Sequence, residues 1–425
     1  MKPQVQTGIR IKKSSGLSVP EPVVDENSPY ASQLLAGVDM AAVMGGIALI
    51  VGLGTVGEVI AEMLAVNGWG LIILVDWGRA EIRNVGRSRF YLKNTLGEYK
   101  AKILAPALSQ FRDNLECVGL VMNARDLPDE LFRHATVVFE ALDFSMGKLW
   151  MAHQARANNK TVISFGIGSG PLFHDDWEVG VWPPDGACRE CDWAEKDYKS
   201  AETWRRSCDD EVPLEGPKAG MVPFAAAEVA VEGARQGQRI AEGKETTFTK
   251  FMRFSGAANQ VRLYGPDFNP MCRGHEAHYD VIFIEYDGGT TVEDVYAMAA
   301  EELGTSNIAI GLRYRHISTS KTCSNEFECD HKDDFFGLQK SVEEDNPENC
   351  PKCGERMVAR SWINQIPVSN LPLSFFEVNQ FVHLVVTDLE NGVHYHLASK
   401  RCETKEDFIN EVLENGEALY NGGEN

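Results

Sequence analysis

Residues 47–57 read I-A-L-I-V-G-L-G-T-V-G, and no other stretch constrains the fold of this chain as strongly. Ile47 to Val51 is a short apolar run of the kind that forms a buried strand. Gly52, Gly54 and Gly57 follow as G-x-G-x-x-G. Val56, Val59, Ile60, Met63 and Leu64 then recur at helical spacing until Gly68. Each glycine has its reason: a tight turn, a close backbone approach to a phosphate, and close packing of helix on strand. The helix N-terminus offers free N–H groups and the positive end of its dipole to an anion. A second apolar run, Leu71 to Val75, ends in Asp76, about 20 residues on, where a carboxylate can hold a ribose hydroxyl. The stretch predicts a nucleotide-binding βαβ unit. It leaves open which nucleotide is bound and for what chemistry.

The remaining pattern extends this unit into a doubly wound α/β domain. Ser28-Pro29 can open a helix running to about Met44. A further helix begins near Leu96 and contains Lys100 and Lys102. Strands are expected at Cys117 to Met122, Ala135 to Leu142, Thr161 to Phe165 and Val179 to Trp182, with a helix over Gly147 to Asn158. Strands alternating with helices imply a mostly parallel sheet, whose carboxyl edge carries Gly52, Asp76 and Asp143. An alanine-rich helix at about Met221 to Glu242 and two short strands, near Phe248 to Phe254 and Gln260 to Tyr264, complete this domain.

From about Tyr279 the pattern changes to α+β. Strands are expected at Val281 to Tyr286 and Ile308 to Arg315, and Thr290-x-x-Glu293 caps a helix to Leu303. Asn391-Gly392 marks a hairpin, and Thr404-x-x-Asp407 opens a terminal helix. The expected organisation is a mobile arm over 1–27, an α/β nucleotide-binding domain over 28–278, and a smaller C-terminal α+β domain over 279–425 with a zinc ribbon around 320–356. A net charge of −21 argues against nucleic acid as a main partner. No apolar run approaches the roughly 20 residues of a membrane span, and the N-terminus lacks an apolar signal core. A cytoplasmic protein is therefore expected, whose ten cysteines serve as metal ligands or thiols rather than disulfides.

The chemistry is carried by charged residues at the strand ends. Asn84 and Arg87 follow the second strand, Lys100 lies on the next helix, and Asp143 ends the fourth strand. Hydride transfer does not need this set. Nucleotidyl transfer does, because Arg and Lys offset charge on the phosphates while an aspartate can fix magnesium. The order G-L-G-T-V-G, L-V-D, N-V-G-R, G-E-Y-K, A-L-D, C-x-x-C resembles the ubiquitin-activating-enzyme superfamily, in particular its ThiF- and MoeB-like adenylyltransferases and the single-domain activating enzyme of the ubiquitin-fold modifier. The resemblance covers about residues 30–278. It implies that Asp76 holds the ATP ribose, that Asn84, Arg87 and Lys100 contact the phosphates, and that Asp143 binds magnesium. It implies activation of a C-terminal carboxylate as an acyl-adenylate with release of pyrophosphate. The substrate would be a ubiquitin-like or sulfur-carrier protein, or a ribosomal peptide being tailored. A downstream conjugating or sulfur-transfer enzyme would receive the product, and the chain would act as a homodimer. Two departures stand out: Lys148 lies where the family often has an arginine after the metal-binding aspartate, and Tyr30 to Met44 contains no arginine.

Cys188-x-x-Cys191 and Cys272-x-x-His275 supply two ligand pairs suited to tetrahedral zinc, with His278 as the substitute for His275. Cys350-Pro-Lys-Cys353 is a zinc-knuckle signature whose partners are expected at Cys323 and Cys329, with His331 as a substitute. Cys117 reads as a core thiol, and Cys402 belongs to neither set. Cys208, in R-R-S-C-D-D, reads either as an ordinary loop cysteine or as a candidate catalytic thiol, whose pKa Arg205 and Arg206 would lower and Asp209 and Asp210 would oppose. Two other function classes share the first motif, a nicotinamide-dependent oxidoreductase and a non-catalytic nucleotide-binding scaffold.

Overall fold

The computed structural model describes residues 28–113, 115–143, 145–168, 175–198, 222–275, 280–313, 315–325, 327–339, 348–363 and 365–415. The expected N-terminal arm, Cys208 and His278 lie outside these residues. The chain divides into two compact units. The first holds residues up to Leu127 together with Leu131–Ala277; the second holds Pro128–Glu130 and everything from His278 onward.

The first unit is built on one eight-stranded sheet. Its strands are β1 (Ile47–Val51), β2 (Leu71–Val75), β3 (Glu116–Leu120), β4 (Val137–Glu140), β5 (Val162–Ile167), β6 (Trp177–Trp182), β7 (Lys250–Ser255) and β8 (Gln260–Tyr264), in the order β3-β2-β1-β4-β5-β6-β7-β8. Pairing is parallel from β3 to β5 and antiparallel from β5 to β8. Every residue of β1 and β2 is buried, as expected of inner strands covered on both faces. The helix Thr55–Asn67 follows β1 and stops at Gly68, whose φ of 92° gives a left-handed C-cap. It packs against the alanine-rich helix Pro223–Ala241. That second helix lies unusually close to the sheet: a Cβ on Gly233 would stand 2.3 Å from the Phe165 ring, and one on Gly237 would stand 2.4 Å from the ring of Phe139.

Three expectations are corrected locally. The helix expected from Ser28 to Met44 is two short ones, Ala31–Leu35 and Met40–Met44. Gly37 at φ 80° breaks it, and the Asp39 side chain caps the second piece by accepting from Ala42 N–H. The helix expected from Leu96 begins at Lys100, because Gly97 at φ 88° and a bridge between Arg79 and Tyr99 hold the chain in a turn until then. The cap of the helix Val292–Leu303 is Thr291, which accepts from Asp294 N–H. Thr290 is engaged instead with the N–H of Asp287.

The second unit contains a four-stranded sheet and a separate three-stranded one. β9 (Asp280–Ile284), β10 (Ile308–Leu312), β14 (Leu384–Asp388) and β15 (Val393–Ser399) form the order β10-β14-β15-β9, with β15 and β9 parallel. β11 (Ile317–Cys323), β12 (Lys332–Leu338) and β13 (Met357–Ile363) form the antiparallel order β12-β11-β13. Gly392 at φ 67° turns the β14–β15 hairpin. Pro128–Glu130 joins this unit because Arg313 pairs with Asp129, and His383 Nε2 lies 2.7 Å from Glu130 Oε1 with both side chains fully buried. Among the described residues no helix is long and apolar enough to cross a membrane.

Two glycines of the loop after β1 separate packing from binding. A Cβ on Gly57 would stand 1.9 Å from Gly52 O, whereas one on Gly54 meets nothing within 4 Å. Gly57→Ala is expected to lower stability by roughly 3 kcal/mol, since backbone must move to admit the methyl. Gly54→Ala is expected to stay within about 1 kcal/mol of the wild type, the difference between glycine and alanine at a helix N-cap. Chemical denaturation of the two variants checks the contrast.

Candidate active site and metal centres

The loop after β1 is shaped by contacts that only glycine permits. Gly52 has φ 92°, and a Cβ there would lie 2.6 Å from Ala141 O, so the loop rests directly on the chain leaving β4. The next turn is fixed by Asp76. Its Oδ2 accepts from Leu53 N–H at 2.7 Å and its Oδ1 from Gly78 N–H at 2.6 Å. A carboxylate has about four acceptor positions, so Asp76 retains capacity for a ligand hydroxyl. Tyr91, almost wholly buried, donates its hydroxyl to Leu53 O at 2.8 Å and closes the loop from the other side. Burial pushes the Tyr91 phenol well above its ordinary pKa, so it stays a donor. Glu58, in the first turn of the helix after the loop, is also buried. It accepts from Arg89 N–H at 2.6 Å, and its pKa is raised chiefly by desolvation.

The basic groups gather at this edge of the sheet. Lys100 Nζ lies 3.6 Å from Asp76 Oδ2, and Lys100 N–H donates to Gly78 O at 3.0 Å. Asn84 is buried: its Oδ1 accepts from Glu81 N–H at 2.8 Å, and its carbonyl accepts from Arg87 N–H at 2.9 Å. Arg87 is held below its ordinary pKa by burial and then by Arg83, while Glu81 and Asp143 oppose this. Asp143 is thus within electrostatic reach of Arg87, and it is itself exposed. Arg87 Nε is buried without a hydrogen-bond partner among the described residues. The structure therefore brings Gly52, Gly54, Gly57, Asp76, Asn84, Arg87, Lys100 and Asp143 to one end of the parallel sheet.

Sequence reasoning did not single out a second set of charged residues beside this one. Glu140, the last residue of β4, is fully buried between two cations. Lys148 Nζ lies 3.6 Å from its Oε1, and Arg189 Nη1 lies 3.5 Å from its Oε2. Lys148 also donates to Phe165 O. Burial raises the Glu140 pKa and lowers that of Lys148, each opposed by the other's charge. The signal was present in V-V-F-E-A-L: a glutamate inside an apolar strand must find a buried partner.

Each expected ligand quartet converges. The donor atoms of Cys188, Cys191, Cys272 and His275 all lie within 4.8 Å of one another, as do those of Cys323, Cys329, Cys350 and Cys353. The first set has Sγ–Sγ distances of 3.5 Å for Cys188–Cys272 and 3.8 Å for Cys188–Cys191, with Cys191 Sγ 3.3 Å from His275 Nε2. The second has 3.3 Å for Cys323–Cys353 and 3.7 Å for Cys329–Cys350. These separations are far longer than a disulfide bond and suit the edges of a tetrahedron with metal–sulfur bonds of about 2.3 Å. Backbone N–H groups of Cys188, Gly274 and Asn325 point at ligand sulfurs at 3.2–3.4 Å, which favours thiolates. Desolvation lowers the His275 pKa, keeping a ring nitrogen free to coordinate. His331 is outside the second quartet and lies 3.3 Å from Asp333. Cys117 is partly buried in β3, and burial pushes its thiol up to about 12, as for an inert core cysteine.

A doubly wound sheet with a glycine loop and basic groups at its carboxyl edge defines a nucleotide-binding α/β protein. More particularly, the chain belongs to the ThiF family, whose model matches residues 44–310. Among curated proteins it is similar to the tRNA threonylcarbamoyladenosine dehydratases of Escherichia coli strain K12 and Bacillus subtilis strain 168. The first is 29% identical over 127 residues, covering 29% of this chain and 47% of the relative. The second is 34% identical over 73 residues, covering 17% and 29%. The chain thus spans about half or less of the length of these relatives. Among solved structures it is similar to E. coli MccB with ATP, at 18% identity and a TM-score of 0.49, covering 59% of this chain and 74% of that one.

Two zinc ions per chain are expected by elemental analysis after exhaustive dialysis. Cys188→Ser is expected to lose one of them and to lower the melting temperature, because a missing ligand opens the site and frees the segment it tethers. Less than one zinc per wild-type chain would contradict both assignments.

Proposed function

We infer that this chain is an ATP-dependent adenylyltransferase that activates the C-terminal carboxylate of a small protein or peptide. The observation that carries the reading is the site at the sheet's carboxyl edge. Lys100 lies over the Asp76 carboxylate that anchors the glycine loop, Arg87 and Asp143 interact electrostatically at the same sheet edge, and the Gly54 side of the loop is open, with no side-chain cap on the helix that follows. Family membership supports it. The residues fit ATP–magnesium: Arg87 keeps a buried Nε with no hydrogen-bond partner among the described residues, and the exposed carboxylate of Asp143 lies within its electrostatic reach. Magnesium held there would screen the phosphate charge. Asp76 would take a ribose hydroxyl through its remaining lone pairs. Lys100, Arg87 and Asn84 would hold the phosphates in line for attack. A carboxylate oxygen of the substrate then bonds to the α-phosphorus as the bond to the β-phosphate oxygen breaks, and pyrophosphate leaves. Arg87 and Lys100 stabilise the charge that builds on the phosphates in that step.

A ubiquitin-like or sulfur-carrier protein is the proposed substrate class, with a ribosomal peptide as the variant, homodimerisation through the sheet domain, and zinc in both quartets. A second reading has a specific observation behind it. The curated relatives are named for a modified tRNA nucleoside, which makes a tRNA-borne carboxylate the competing substrate. The net charge of −21 weighs against it. Addition of bulk tRNA to the exchange assay separates the two readings.

Asp143→Ala is expected to reduce ATP–pyrophosphate exchange on the order of 100- to 1000-fold, as for loss of one preorganised electrostatic contact. Its stability should change by less than about 0.5 kcal/mol, because the side chain is exposed. Asp76 requires a gentler change, since it also holds two backbone N–H groups. Asp76→Asn keeps one acceptor oxygen and sets an NH2 group against the other backbone N–H, so it should weaken ATP binding more than it slows turnover and also lower the melting temperature. Normal exchange by folded Asp143→Ala would remove the adenylation reading.

A further inference from the structure

The end of β4 carries a charge that the proposed reaction does not use. Glu140 is fully buried, and its Oε1 accepts from Leu142 N–H at 2.9 Å. Ala141 N–H donates to Val51 O at 2.8 Å and continues the sheet. The carbonyl oxygen of Ala141 rests on the Gly52 turn, 2.6 Å from where a Cβ on Gly52 would stand. Both residues between Glu140 and Asp143 are thus tied down through their backbones. Asp143 itself is exposed, so the backbone that carries it sets its position.

The Glu140 carboxylate is held from two directions. Lys148 Nζ lies 3.6 Å from its Oε1, and Arg189 Nη1 lies 3.5 Å from its Oε2. Lys148 stands on the helix Ser145–Ala157, which begins just after Asp143, and its Nζ also donates to Phe165 O in β5. The ion pair of Glu140 and Lys148 therefore closes the turn from strand to helix, with Asp143 inside it. A buried ion pair adds little net stability, because desolvating both charges offsets most of their attraction. What this one fixes is geometry. A single carboxylate meets Leu142 N–H, Lys148 and Arg189 together, and a neutral side chain of the same size cannot satisfy all three.

We propose that Glu140 is a positioning residue for the adenylation centre: through Leu142 N–H and Lys148 it holds the loop that presents Asp143 to magnesium. The proposal rests on the adenylation reading for the role of Asp143, whereas the brace is a property of the chain without ligands. Partners that orient a metal-binding carboxylate typically contribute about 10- to 100-fold in metal affinity or activity.

Two measurements on the full chain test this. The first is hydrogen–deuterium exchange without nucleotide or magnesium, resolved to single amides. Leu142 N–H of the wild type is expected to exchange at least about tenfold more slowly than in an unstructured peptide of the same sequence. In Glu140→Gln and in Lys148→Met, residues 141–143 are expected to exchange faster while β1 and β2 keep their rates. The second is manganese binding in the presence of an ATP analogue with a methylene group between its α- and β-phosphates, followed by electron paramagnetic resonance. The manganese Kd is expected to rise about tenfold or more in both variants. A merely structural role would lower the fraction of binding-competent chains and leave that Kd where it was. Leu142 exchanging at the free-peptide rate in the wild type, or unchanged exchange at 141–143 in a folded variant, would overturn the proposal. So would acceleration spread equally over β1 and β2, an unchanged manganese Kd, or no manganese binding by the wild type. If neither variant folds, the Leu142 rate of the wild-type chain decides. Absence of pyrophosphate exchange by the wild type would overturn the adenylation reading, and amide exchange would still decide whether the brace exists.

Discussion

The carboxylate of Asp76 closes two turns at once, and the site at the sheet edge depends on it. By accepting from Leu53 N–H and Gly78 N–H it fixes the glycine loop relative to the end of β2. Lys100 then sits over the same carboxylate at 3.6 Å. Charge-assisted hydrogen bonds of this kind are stronger than neutral ones, and they hold a loop whose one side chain, Leu53, is buried in the core. The open space at Gly54 follows, because the loop is held from below by Asp76 and from the side by Tyr91 and leaves its remaining face uncovered.

A second constraint operates farther along the sheet. Cys188 and Cys272 are separated by 84 positions, yet their sulfurs lie 3.5 Å apart. Closing so long a loop costs conformational entropy, and a shared metal would offset that cost. The quartet also places Arg189 beside Glu140, where an isolated buried carboxylate would be strongly unfavourable. One structural feature thereby serves two purposes: it brings distant segments together and sets a cation against a buried carboxylate.

The inner sheet was legible because its strands are buried on both faces and read as unbroken apolar runs between glycine and aspartate punctuation. The ligand quartets were legible because three of their four ligand pairs stand at x-x spacing, which has few other uses, while Cys323 and Cys329, with five residues between them, were matched to Cys350 and Cys353 as the remaining partners. His331, expected only as a substitute, stays outside the quartet that the four cysteines complete, and lies 3.3 Å from Asp333, two residues on. The N-terminal helix was misread because Gly37 can either continue or break a helix, and only its left-handed φ decides. The placement of Pro128–Glu130 in the second unit was hidden, since it depends on Arg313 and His383, which lie far away in the sequence. The Glu140–Lys148–Arg189 cluster was missed because its members fall in three separate motifs, each of which had another explanation.

The proposed adenylation cleaves ATP between its α- and β-phosphates at this site. The most direct measurement is the fate of α-labelled ATP incubated with the chain and a small-protein and peptide fraction of cell extract. Label is expected in AMP, with pyrophosphate released, in the wild type and none above background in Asp143→Ala. Label accumulating in ADP, in an amount that depends on Asp143, would contradict it.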